Sequence, residues 1–125
     1  DFEAEDIPAA WDARMAELLG LDTRGNYADG PLQDVHWPEG LFGYFPCYSL
    51  GAMYAAQWFA AIRQQHPDLD GRIAAGDFAP VFGWLRDNVW LQASRWPTAQ
   101  LVERATGRAL DPGCFRAHLE ARYLR

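Results

Sequence analysis

The sequence predicts an all-α fold with about six helices. Apolar residues recur at helical spacing along most of the 125 residues, and helix start and stop signals bracket each apolar segment. No strand-length stretch shows clean two-residue alternation. Half of the residues are hydrophobic and 22% are charged, a composition that supports a packed core rather than a disordered chain. The length corresponds to one domain or to part of a larger one.

The first predicted helix precedes a long loop. Asp6 caps this helix, Pro8 lies in its first turn and Gly20 ends it. Its apolar stripe comprises Trp11, Met15, Leu18 and Leu19. Between Leu21 and Gly43 the glycines and prolines break any sustained period, so we expect a long, ordered and functional loop.

The most apolar segment runs from Tyr44 to Gln65, with Pro46 suited to the first turn of a helix. Apolar residues lie all round this helix, so it should be buried on most of its faces. A chain of 125 residues can scarcely cover such a helix completely, which indicates that surface from a partner is missing.

Four shorter helices complete the prediction. A short helix covers Leu69 to Ala75, and Asp77 caps the next one, from Phe78 to Val89. Thr98 caps a helix that reaches Thr106, and Asp111 opens the last helix. The apolar face of the fourth helix comprises Phe78, Val81, Phe82, Leu85 and Val89.

Charge and cysteine usage exclude several classes of function. The net charge is −6 and all 11 basic residues are arginines without a cluster, which argues against nucleic acid and anionic membranes as partners. No apolar run is long enough to span a bilayer, and no basic segment of a signal peptide is visible. Cys47 and Cys114 form no CxxC pair, so we expect free thiols and a cytoplasmic location.

The loop concentrates polar chemistry in Gln33, Asp34, His36 and Trp37. Either Gln33 or Asp34 can orient one nitrogen of His36, so that the other nitrogen meets a substrate. The alternative is that these groups only tie down the loop backbone. Tyr44 follows closely, and its phenol either projects into a cleft or is an ordinary buried aromatic. No HExxH spacing occurs, and we expect neither a metal site nor another cofactor within this chain.

Residues 30–37 resemble the GxxQDxHW signature of the M32 zinc metallocarboxypeptidases, the thermostable carboxypeptidase type. All five fixed positions agree. The continuation through Gly43-Tyr44-Phe45-Pro46 and Ala55-Ala56-Gln57 is also similar to the family, and so are the flanks, including Trp11. The resemblance covers nearly the whole chain. Trp90 departs from it, because the family frequently has His there, and the glycine that follows is missing.

The resemblance implies that residues 1–125 are the C-terminal helical region of a zinc metallocarboxypeptidase, without its zinc-binding part. Such enzymes remove single amino acids from peptide C-termini by means of metal-activated water. The zinc would belong to the full-length protein, with its ligands outside this chain, and the chain alone would be inactive. The implied partners are a peptide substrate, the N-terminal remainder of the enzyme and a second copy in a homodimer.

The resemblance also suggests roles for the loop residues. His36 and Tyr44 would be catalytic, because they would hydrogen-bond the scissile carbonyl as it becomes an oxyanion. Gln33 and Asp34 would support them or position the substrate, and Trp37 would form a wall of the cleft. The alternative function is a stand-alone helical peptide-binding or interaction module without catalysis. That alternative predicts a monomer with no large exposed apolar patch.

Overall fold

A computed structural model describes residues 2–124, and these residues form helices and turns without a β-strand. The prediction of an all-α fold with about six helices is therefore confirmed. The six α-helices are α1 (Ile7–Leu19), α2 (Pro46–Gln65), α3 (Leu69–Ala74), α4 (Ala79–Asn88), α5 (Thr98–Thr106) and α6 (Pro112–Tyr123). Short 3₁₀ helices lie at Ala4–Asp6, Pro31–Gln33 and Trp90–Gln92.

The chain divides into two compact units, one ending at Tyr44 and the other beginning at Phe45. The first unit contains α1 and the long loop. The second contains the remaining five helices.

In the first unit, α1 begins and ends close to the predicted residues. The Asp6 carboxylate accepts a hydrogen bond from the Glu3 backbone N–H at 3.0 Å, so it closes the preceding turn instead of capping α1. Gly20 ends α1 with φ of +68°, a left-handed conformation that glycine adopts without strain. The predicted stripe is only half covered, because Leu18 and Leu19 are exposed.

The core of the second unit joins α2, α3 and α4. Ile62, Leu69 and Trp84 are buried and pack together. Burial of an aliphatic side chain of this size contributes about 1.5–3 kcal/mol relative to leaving it in water. Partly buried neighbours surround the cluster, namely Trp58, Phe59, Ala61, Ile73, Val81, Leu85, Val89 and Ala105.

Gln57 is a buried polar link in the second unit, with 1% of its surface exposed. Its Nε2 donates to Thr106 Oγ1 at 2.8 Å and to the carbonyl oxygen of Ala109 at 3.1 Å. Its Oε1 accepts from the Asp111 backbone N–H at 2.7 Å. One side chain of α2 therefore fixes the end of α5 and the start of α6, with both ends of its carboxamide satisfied.

Of the four predicted capping residues, Asp6 and Thr98 do not cap their helices. Asp111 caps α6 as predicted, and Asp77 bonds the start of α4 from one residue before the capping position, which Phe78 occupies. Asp111 Oδ1 accepts from the Gly113 N–H at 2.8 Å, and Asp77 Oδ1 accepts from the Ala79 N–H at 3.0 Å. Thr98 is instead the first residue of α5, and Pro97 occupies the capping position without a side-chain hydrogen bond.

No helix in the described part of the chain is both long and apolar enough to cross a bilayer.

The predicted burial of α2 on most faces is wrong for the described residues. Gln57 and Ile62 are the buried residues of α2, whereas Tyr48 is 58% exposed. Phe78, just before α4, and Phe82 within it are likewise exposed, although both belong to the predicted apolar face. The physical reason is that helical periodicity reports where apolar side chains lie but does not supply the neighbours that would cover them.

Candidate functional site

The candidate loop turns sharply at Gly30, which is buried. A Cβ atom at this position would lie 2.7 Å from the Asn26 carbonyl oxygen and 3.4 Å from Trp11 Nε1. The Leu32 N–H donates to the Tyr27 carbonyl oxygen at 3.0 Å and closes the turn. The first fixed position of the signature therefore requires glycine because two neighbouring groups approach its backbone closely.

Asp34 holds His36 through two contacts to one oxygen. Asp34 Oδ1 accepts from the His36 backbone N–H at 2.8 Å and lies 2.7 Å from His36 Nδ1. The side chain of Asp34 is 5% exposed and that of His36 is 21% exposed. Because an ionised carboxylate only accepts hydrogen bonds, this contact places a proton on Nδ1. Of the two orienting residues considered for His36, the structure selects Asp34.

The second oxygen of Asp34 has a different environment. Oδ2 is buried and has no hydrogen-bond partner among residues 2–124. Buried carboxylate oxygens are normally hydrogen-bonded, because removing them from water without a donor is costly. Gln33, by contrast, has an exposed side chain at the end of the 3₁₀ helix.

Tyr44 stacks against the imidazole of His36. The ring centroids are 5.2 Å apart and the ring planes differ by 22°. Two backbone hydrogen bonds fold residues 36–44 so that Tyr44 comes back beside His36. The Leu41 N–H donates to the His36 carbonyl at 2.8 Å, and the Tyr44 N–H donates to the Leu41 carbonyl at 3.3 Å. Gly43 adopts a φ of +70° in this return. The loop thus brings a carboxylate, an imidazole and a phenol into one group.

Trp37 packs against α1. Its ring meets that of Trp11 edge to face, with centroids 6.4 Å apart and planes at 86°. The Gly40 N–H donates to the Trp37 carbonyl at 2.9 Å. Trp11 therefore supports both Gly30 and Trp37, a role that its place in the apolar stripe of α1 does not reveal. The available signal was the presence of Trp11 in the segment that resembles the M32 family.

Residues 2–124 contain no group of three or more His, Cys, Asp or Glu side chains that could hold a metal ion. Cys47 and Cys114 are free thiols. The described residues therefore do not provide a ligand set for a zinc ion, and their chemistry is that of hydrogen-bond donors and acceptors.

The model of the family described as Carboxypeptidase Taq (M32) metallopeptidase matches residues 1–123. The chain belongs to this family. The family resemblance drawn from the GxxQDxHW signature is thereby confirmed.

Named M32 relatives align with nearly all of the chain. It is 42% identical over 123 residues to thermostable carboxypeptidase 1 of Thermus thermophilus, covering 98% of this chain and 24% of that protein. It is 35% identical over 123 residues to carboxypeptidase 1 of Bacillus subtilis, with the same two coverages. The chain spans about a quarter of the length of the curated relatives it matches.

Solved M32 structures contain the same arrangement of helices. Trypanosoma cruzi metallocarboxypeptidase 1 superposes with a TM-score of 0.93 at 43% identity, over 99% of this chain and 26% of that one. The M32 carboxypeptidase from Deinococcus radiodurans R1 superposes with a TM-score of 0.89 at 40% identity, over 95% of this chain and 24% of that one. The all-helical fold is therefore that of part of an M32 metallopeptidase.

The predicted site residues of this M32 chain separate into three environments. Asp34, His36 and Tyr44 contact one another in sequence along the loop. Trp37 contacts Trp11 and holds the loop against α1. Gln33 is exposed, and its side chain makes no hydrogen bond within the described part of the chain. Only the first group combines predicted site residues whose side chains contact one another.

Proposed function

We propose that this chain is the C-terminal segment of a zinc-dependent carboxypeptidase that removes single amino acids from the C-termini of peptides. Membership of the M32 metallopeptidase family and the carboxypeptidase names of its relatives support this proposal. The zinc ligands would come from residues outside this chain. The contribution of the chain itself is part of the wall of the substrate cleft.

The observation that carries the proposal is the ordered series Asp34, His36 and Tyr44. Asp34 holds the Nδ1 proton of His36, which fixes the ring orientation. In its protonated form, His36 also donates from Nε2, the ring nitrogen that does not contact Asp34. The phenol of Tyr44 carries a second O–H donor, and its ring lies against the imidazole.

These two donors would act on the oxygen of the scissile carbonyl. Negative charge grows on that oxygen as the tetrahedral intermediate forms, and fixed donors stabilise it more strongly than they stabilise the substrate. One such donor typically lowers the barrier by about 3 kcal/mol. Gln33 and Trp37 would contact the peptide beside the reacting bond.

The distribution of apolar surface favours this function over a free-standing binding module. Phe45, Tyr48 and Leu50, at the start of α2 and just before it, are 40% to 58% exposed. A self-sufficient module would cover more of these large apolar side chains, two of which, Phe45 and Tyr48, have their ring centroids 6.2 Å apart. Exposed apolar surface is expected where further segments of a longer enzyme pack.

We extend the proposal to a homodimeric enzyme located in the cytoplasm.

The test is an assay of the natural-length protein for release of C-terminal amino acids from an N-blocked peptide. The expected result is stepwise release that a zinc chelator abolishes and added zinc restores. His36→Ala should lower kcat about 100-fold, because one oxyanion donor is lost. Tyr44→Phe should lower kcat with the fold preserved. His66→Ala is the control, since His66 follows α2 in the other unit, and it should leave kcat unchanged.

Two results would contradict the proposal. The first is unchanged kcat in His36→Ala, which would remove the loop from the reaction. The second is release of C-terminal amino acids by the pure 125-residue chain, because it has no metal ligand set among residues 2–124.

A further inference from the structure

Among residues 2–124, two arginines that line the same cavity have no carboxylate partner. Seven arginines pair with an Asp or Glu side chain, namely Arg14, Arg24, Arg63, Arg72, Arg86, Arg108 and Arg116. Arg95 and Arg104 have no carboxylate within ion-pair distance among residues 2–124. Both nevertheless line one cavity of about 290 Å³ in the second unit. In a chain with a net charge of −6, this local excess of positive charge is unusual.

The cavity walls contain no acidic residue. Besides the two arginines, the polar groups that line it are the carboxamides of Asn88 and Gln92 and the indole of Trp96. Asn88 Nδ2 donates to the Trp84 carbonyl at 2.9 Å, so this carboxamide is fixed on α4. An anion that entered the cavity would therefore meet two cations and no repelling carboxylate.

Arg104 is oriented by Trp96. Its guanidinium carbon lies 3.7 Å from the centroid of the indole ring. The indole is itself fixed, because Trp96 Nε1 donates to Gln92 Oε1 at 3.3 Å and Gln92 Nε2 donates to the Asp87 carbonyl at 3.0 Å. A guanidinium stacked on its face keeps its N–H groups directed outward from its edge, where they can bind an oxyanion.

We infer that Arg95 and Arg104 form a binding site for a phosphoryl group. A phosphate carries close to two negative charges near neutral pH and has several acceptor oxygens, which suits two guanidinium groups on separate segments. A monocarboxylate has a single charge and two oxygens, enough for one guanidinium fork. This site is independent of the proposed peptidase activity, because it lies in the second unit and is tested by binding.

Isothermal titration calorimetry of the natural-length protein with inorganic phosphate tests the site, at constant ionic strength maintained with chloride. The expected result is saturable binding with one site per chain. Arg95→Gln and Arg104→Gln should each weaken binding about tenfold, through loss of a charge-assisted hydrogen bond. Arg116→Gln is the matched control, because it removes the same charge from α6, outside the cavity, and should bind phosphate as the parent does.

Two further titrations test which type of anion the site binds. The affinity for glycerol phosphate is compared with that for inorganic phosphate. The tighter binder shows whether the site prefers an esterified phosphoryl group or the free ion. Acetate at the same concentration should not displace phosphate. The inference is overturned if phosphate does not saturate, if acetate competes equally, or if Arg116→Gln weakens binding as much as the cavity variants do. Thermal unfolding of each variant is the check that its fold is retained. The two substitutions lie on separate segments and therefore test the site independently.

Discussion

Asp34 Oδ1 lies 2.7 Å from Nδ1 of His36 and also accepts the backbone N–H of the same residue. A buried carboxylate thus controls both the ring and the main chain two residues later. The contact is local in sequence, yet it depends on the loop being closed around it. The orientation of His36 is therefore a property of the folded loop.

Removal of this carboxylate should release His36. In Asp34→Ala, Nδ1 loses its acceptor, so we expect the ring ¹⁵N signals of His36 to change toward those of a mobile imidazole in long-range ¹H–¹⁵N NMR spectra. Activity of the natural-length enzyme should fall about tenfold or more, equivalent to about 1.4 kcal/mol of barrier. Asp29→Ala is the control, because Asp29 is an exposed carboxylate of the same loop. Unchanged His36 ring signals in Asp34→Ala would contradict the assigned contact.

Replacement of Gly30 should destabilise the first unit. In Gly30→Ala the new methyl group would meet the Asn26 carbonyl oxygen at 2.7 Å, so the backbone must shift. We expect a loss of about 1–3 kcal/mol in the free energy of unfolding, measured with urea. Gly71→Ala in α3 has open space around the added methyl and should be neutral or slightly stabilising. Equal effects of the two substitutions would refute the close approach at Gly30.

Gln57 should contribute far more to the free energy of unfolding than Gln64, which also lies on α2. Gln57→Ala leaves the Asp111 N–H and the carbonyl of Ala109 without their buried partner. We expect about 3 kcal/mol of destabilisation, since several partly buried hydrogen bonds are lost together. Gln64→Ala changes an exposed side chain and should shift the unfolding midpoint little. A similar midpoint for both variants would show that the buried network contributes nothing to stability.

Ala93 is a position where glycine should stabilise the protein. Its φ of +46° and ψ of −132° are a conformation that glycine tolerates and alanine resists. Ala93 directly follows the 3₁₀ helix Trp90–Gln92. Ala93→Gly should raise the free energy of unfolding by about 1 kcal/mol. Ala99→Gly, at an exposed position of α5, should lower it by up to about 1 kcal/mol. A loss of stability in both variants would be evidence against strain at Ala93.

The Asp22–Arg24 pair gives a pH-dependent prediction. Hydrogen bonds from the Arg24 side chain and backbone N–H lower the pKa of Asp22 from 3.8 to about 2. Because the folded pKa is the lower one, the stabilisation is present above about pH 4 and is lost as the pH falls toward 2. Arg24→Gln should return the pKa of Asp22 toward 3.8, measured by NMR titration of its carboxyl carbon. Arg14→Gln, which breaks a separate pair with Glu17, should leave that pKa unchanged.

The sequence by itself determined the helices and several of their ends. Gly20 and Gly107 end helices with positive φ, and Asp111 caps α6 through a hydrogen bond two residues away. These signals act within a few residues, so they can be read without knowing the rest of the fold. The loop motif also identified Asp34, His36 and Tyr44 as candidates, although it left Gln33 and Asp34 as equal partners for His36.

Tertiary structure decided which surfaces meet. The partners of Gln57 lie 49 to 54 residues further along the chain, and Trp11 reaches Gly30 and Trp37 across the loop. Periodicity marked α2 as apolar all round, but it could not say that Tyr48 would stay exposed while Ile62 is buried. Local spacing fixes where a side chain points on its own helix, whereas burial and hydrogen bonding depend on which distant segments pack there.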